Sequence, residues 1–183
     1  KDTEEAEERW KAKDKKLEDD VRENLKRLRE EITRLEKEVK DNVRRIKELI
    51  DKLRRDVERE GTDDETLKEV EKRLRDNIEE SRKRLEEMLK KIEDNIRKSK
   101  KKLDDYKREL EKELREMERR VKDLEEAKDS LRKLKKHSDD TVRRVKEEHE
   151  RVLKEAKELL DKVEKEHRRL LEELERLLRE ARK

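Results

Sequence analysis

Three histidines, no cysteine and 57 acidic side chains are what this chain offers for chemistry. Imidazole is both a common metal ligand and a general base near neutral pH, so His149 and His167 are weighed first. Eighteen residues separate them. At the helical rise per residue that is roughly 27 Å, and neither has a His, Asp or Glu one turn away on the same buried line. No metal site and no catalytic base is expected from them. Without cysteine there is neither a disulfide nor a thiolate ligand, and one glycine cannot build a loop that cradles phosphate. Arg97, Lys98, Lys100, Lys101 and Lys102 form the densest basic run. On a helix they splay around the circumference beside Glu93, Asp94, Asp104 and Asp105, and an aromatic content of 1% leaves little for base stacking, so no nucleic-acid partner is expected. The carboxylates read as solvated on exposed helix faces rather than as a paired acid and base. No enzyme and no cofactor follow from these residues.

The elements that carry them are set by an unusual composition. Charged residues make up 64% of the chain and hydrophobic residues 27%, which excludes a thick globular core. Such a balance often means disorder, but here the apolar residues recur at fixed intervals. From Leu17 they run Val21, Leu25, Leu28, Ile32 and then Leu35, Val39, Val43, Ile46, Ile50, stepping 4-4-3-4-3. Each cycle takes eighteen residues, or five turns at 3.6 per turn, so the stripe stays on one face without supercoiling. The segments beginning at Leu17 and Leu35 align residue for residue, including Asn24 with Asn42. Later segments repeat the device: Asn77 matches Asn95, Ser81 matches Ser99, and His149 matches His167. Net charge is +3 with the two signs interleaved, and pairs such as Glu36–Lys40 and Glu164–Arg168 have the favourable i,i+4 polarity. No apolar run exceeds two residues, so neither a signal peptide nor a membrane span is expected, and no natural compartment is implied.

Two turns divide the stripe. Gly61 is the natural left-handed residue at a helix end, and Thr62 to Glu65 reads as a capping box for the next helix. The second turn has no glycine or proline. The polar cluster His137-Ser138-Asp139-Asp140 competes with Val121–Asp123, but the eighteen-residue phase runs unbroken through the cluster and slips between Val121 and Leu131. Asp123 to Glu126 and Asp2 to Glu5 offer further capping boxes. The second turn is therefore placed at 121–123. The expected fold is all-α: one domain over 1–183, a long antiparallel up-down-up three-helix bundle with helices at about 2–60, 63–121 and 124–182.

Reversal at these turns brings polar residues to matched heights. Asn42 is expected opposite Ser81, Asn24 opposite Ser99, Asn77 opposite His167 and Asn95 opposite His149, while Tyr106 meets Ser138. The eight Asn, Ser and His residues then read as two structural polar layers that fix register, because slipped or reversed packing would leave them unpaired. Burying neutral imidazole there lowers its pKa and makes the fold mildly acid-sensitive. Trp10 and Tyr106 read as core fillers.

The straight eighteen-residue, five-layer repeat, the near-equal helices, and a surface written in Glu, Lys, Arg and Asp resemble parametrically designed helical bundles. The resemblance implies a monomeric, hyperstable de novo scaffold with no natural substrate, cofactor or partner. A rival reading is an assembly module, with Val152, Leu159, Leu170 and Leu177 on the third helix as the best place for a partner helix or second copy to dock; the same four residues equally read as the broad core face a three-helix bundle needs.

Overall fold

The computed structural model describes residues 2–61 and 63–182, with the backbone alone for Asp2 and Glu60. Three helices account for nearly all of it: α1 Asp2–Glu60, α2 Asp64–Arg120 and α3 Glu125–Ala181. Their ends agree with the sequence reading to one residue, within the usual fraying margin. Helices of this length form because strong helix formers fill the exposed positions, proline is absent, and the apolar stripe supplies the tertiary contacts that isolated helices lack.

Contacts divide the chain into two compact units, each built from a piece of all three helices. The first comprises Lys1–Arg29 with Ile92–Lys154, the second Glu30–Lys91 with Glu155–Lys183. In the first, α1 and α2 run antiparallel: Trp10 meets Glu113, and Asn24 meets Asn95. α3 runs parallel to α1, with Ser138 against Asp14. A cluster of Ala6, Trp10, Leu110, Leu114, Met117, Leu131 and Leu134 forms one end of its core, with Tyr106 and Val121 packed on it. Trp10 and Tyr106 meet edge to face at 5.5 Å, and the Trp10 N–H donates to Glu113 at 2.9 Å. In the second unit Arg84 pairs with Glu38, Arg75 with Glu175 and Arg182 with Asp64, so α2 again runs against its neighbours. Ile46, Ile50, Leu67, Leu74, Leu85 and Leu174 are among its buried side chains.

Val152, Leu159, Leu170 and Leu177 are all buried, in keeping with their alternative reading as a broad core face. Three elements enclosing one core need a wide stripe on each, and these residues supply it. Among the described large apolar residues, the exposed ones are Leu49 and Leu124, at 47% and 61%. The polar cluster at 137–140 lies inside α3.

The turns differ from each other in mechanism. Gly61 takes φ +70°, the left-handed conformation that L side chains resist. The cap of α2 comes from Asp63, whose carboxylate accepts from the Thr66 amide at 2.8 Å; Thr62 of the expected capping box lies outside the described residues. Hydrogen bonds from Thr66 also hold the Asp63 carboxyl below its usual pKa. At the second turn the Leu124 amide donates to the Val121 carbonyl at 3.0 Å, and among the described residues no non-glycine adopts positive φ. The residue preceding α3 is Leu124, so Asp123 stands one position too early to serve as the cap expected of it. The side chain of Asp2, in the third expected box, is outside the described set.

Replacing Leu124 by Asp places a carboxylate at the start of α3 and gives up little burial. Chemical denaturation should show a gain of about 1 kcal/mol. Gly61→Ala should cost about 1 kcal/mol in the same assay, because an added Cβ meets nothing within 4 Å and only backbone strain remains.

Candidate functional site

Four of the eight polar residues singled out in the sequence make contacts with one another, in two pairs. In the first unit the Asn24 side-chain amide donates to the Asn95 oxygen at 2.6 Å, and Asn95 donates back at 3.2 Å. Ser99 Oγ and His149 Nε2 lie 2.8 Å apart, with His149 fully buried. Asparagine thus meets asparagine and serine meets histidine. Asn95 bonds to α1, and Ser99, one turn away on α2, bonds to α3. The reciprocal amide pair satisfies a donor and an acceptor on both partners.

The second set behaves differently. Asn42, Asn77 and Ser81 line a solvent-open groove of about 620 Å³ between α1 and α2 in the second unit, and none of the three has a hydrogen bond to another side chain. His167 is 4% exposed, and neither ring nitrogen has a partner. No hydrogen bond joins Asn42 to Ser81 or Asn77 to His167.

A third polar group was missed. Asp14 is 1% exposed, and its Oδ2 accepts from the Ser138 hydroxyl at 2.9 Å. The His137 Nε2 stands 3.6 Å from the same oxygen, on a half-exposed side chain. Thr141, also buried, donates to the His137 carbonyl one turn back. Ser, His and Asp are the types of a nucleophilic triad, but the order is wrong. Serine donates directly to the carboxylate, and no imidazole is placed to take its proton. The signal was available in the sequence: Asp14 occupies the slot that Ile32 and Ile50 fill in later repeats. It corrects the reading of every carboxylate as solvated. Tyr106 packs edge to face on Trp10, and its buried hydroxyl has no hydrogen-bond partner.

Among the described residues no group of three or more His, Cys, Asp or Glu could hold a metal ion, and no helix is long and apolar enough to cross a membrane. No protein-family model matches the chain, and no curated protein does. Among solved structures it is similar to one described as a computationally designed three helix bundle, at a TM-score of 0.51 and 20% identity, covering 98% of this chain and 90% of that one. Its fold is that of a three-helix bundle.

What the bundle's buried polar groups can do is titrate, and they pull in opposite directions. Burial lowers the pKa of His149; the Val145 carbonyl one turn back opposes this, Lys100 adds to it and Glu148 opposes it. His149 Nδ1 itself lacks a partner of good geometry. Burial also lowers the pKa of His167, with Glu166 opposing. Burial raises Asp14 above 3.8, against the lowering effects of the Ser138 hydroxyl and His137, while Glu18 adds to the rise. For a base whose folded pKa is depressed, the unfolded chain binds more protons on acidification. The histidine contribution is therefore fully present above the unfolded value of about 6.5 and is lost as pH falls from there toward the folded values. For Asp14 the unfolded chain gives up its proton first, so its ionisation penalises the fold at neutral pH. That penalty fades as pH falls through the raised folded pKa.

Two outcomes follow. Replacing Asp14 by Ile should stabilise the bundle by about 1 to 3 kcal/mol at neutral pH and by less in acid, as read by denaturant midpoints. Replacing both His149 and His167 by Leu should remove most of the stability loss between about pH 6.5 and pH 4.5, each unit of pKa depression accounting for about 1.4 kcal/mol. An equal acid loss in parent and variant would show that the histidines are not its source.

Proposed function

We propose that this chain is a designed structural scaffold whose function is its fold, with no natural substrate, cofactor or partner. The observation that carries this reading is the near-complete use of its apolar side chains inside the fold. With 27% hydrophobic residues, only Leu49 and Leu124 among the described large ones stand exposed. Natural binding proteins keep apolar surface for their partners. The likeness to a designed bundle supports the same reading, as does a surface laced with i,i+4 pairs such as Glu36–Lys40 at 3.0 Å and Glu23–Arg27 at 3.0 Å. In this reading 1–183 is one domain, the Asn24–Asn95 and Ser99–His149 contacts act as register markers, and the protein is a hyperstable monomer.

Light scattering behind size-exclusion chromatography should give one chain of 22.7 kDa; a multiple of that mass would favour the assembly reading instead. At neutral pH, Trp10 fluorescence and far-ultraviolet circular dichroism should follow one coincident unfolding transition, with a guanidinium midpoint above about 5 M. Two separated transitions would remove the single-domain reading, and a low midpoint would remove the hyperstability.

A further inference from the structure

The two sets of polar residues are the same four types, displaced by eighteen residues along every helix: Asn24 to Asn42, Asn95 to Asn77, Ser99 to Ser81 and His149 to His167. Equal displacement on all three helices puts equal partners at equal heights. Yet the first set is closed by three hydrogen bonds, while the second has none among its four side chains, and Asn42, Asn77 and Ser81, though not His167, line an open groove. The difference lies in what each set does with a proton.

From this geometry we infer that the second set is the acid-sensitive point of the fold: charging His167 opens the second unit around Asn42, Asn77 and Ser81, while the closed first set holds the first unit together. A protonated imidazole has two N–H donors and must find acceptors or water. Both His167 nitrogens are buried and unpartnered, so the cation has no partner without movement. The open groove at Asn42, Asn77 and Ser81 is lined by α1 and α2 alone and does not reach His167, so hydrating the charged ring requires the packing between them to open. His149 has Ser99, which can turn its hydroxyl lone pairs toward a charged ring and retain the contact.

The surroundings do not offset this. α1 brings Asp41 and Arg45 to the second set's level, α2 brings Asp76 and Glu80, and α3 brings Glu166. Of these only Glu166 acts on the ring, and its attraction is smaller than the burial effect it opposes. The first unit, by contrast, contains an acid-relieved group: Asp14 is destabilising when ionised, so acidification takes a penalty away there while His149 adds one. No such group accompanies His167. The inference rests on these contacts and does not depend on whether the chain is a scaffold.

Amide hydrogen exchange of the full chain at about pH 7.5 and about pH 5, corrected for intrinsic rates, tests it. Amides in 36–48, 72–84 and 162–172 should lose protection by about tenfold for each unit of His167 pKa depression that acidification crosses, while those in 18–30, 90–102 and 144–154 change much less. His167→Leu should abolish the loss and His149→Leu should leave it. Equal loss in both sets, or loss that persists in His167→Leu, overturns the inference. Imidazole NMR titration of the unmutated chain provides a readout free of folding artefacts: the onset of exchange in the second unit should track the His167 ring, and tracking the His149 ring instead also overturns it.

Discussion

Five turns of α-helix take eighteen residues, and a pattern written at that period keeps its apolar stripe on one side of a straight helix however long the helix becomes. This chain has barely enough apolar residues for one stripe per helix. Each stripe must therefore face the other two, because the exposed alternative would leave helices with no tertiary support. Helix orientation, the placement of the turns and the burial of α3's additional leucines and valines follow from that scarcity. A sequence with spare apolar surface could pack in several ways; this one has little to pack with except its own core.

Against that background the buried polar groups are exceptions with distinct energetic characters. The Asn24–Asn95 pair is self-sufficient, each amide giving and receiving. His149 depends on one hydroxyl. Asp14 draws on Ser138 and the edge of His137, and one of its oxygens has no hydrogen-bond partner. His167 has no hydrogen-bond partner at all. A buried polar group costs little when it is satisfied and considerably more when it is not, so the half-buried, paired asparagines and the buried Asp14, His149 and His167 are not equivalent.

The fold was readable because it depends on period and phase, which sequence displays directly. The second turn illustrates this. Nothing in the chemistry of Val121–Asp123 announces a turn, and the polar 137–140 segment looks more like one, yet the interruption of the eighteen-residue phase places it correctly. The polar groups were readable only in part. Their heights follow from residue number, which is why Asn24, Asn95, Ser99 and His149 assemble as a group. Which of them touch depends on which neighbouring helix each side chain addresses, and residue number does not show that. Two sets of identical residue types differ in whether their side chains bond to each other. Asp14 was a failure of attention to register. Among so many acidic residues its type conveys nothing, and only its place in the line of Ile32 and Ile50 marks it.

The connection between α2 and α3 has a consequence of its own. Residues 121–124 reverse the chain through an ordinary hydrogen-bonded bend, with no left-handed residue and with Leu124 turned to solvent. No side chain is obligatory there, unlike at Gly61. It is the natural place to sever and rejoin the polypeptide, or to splice in a foreign loop, with both flanking helices left to find each other through their cores.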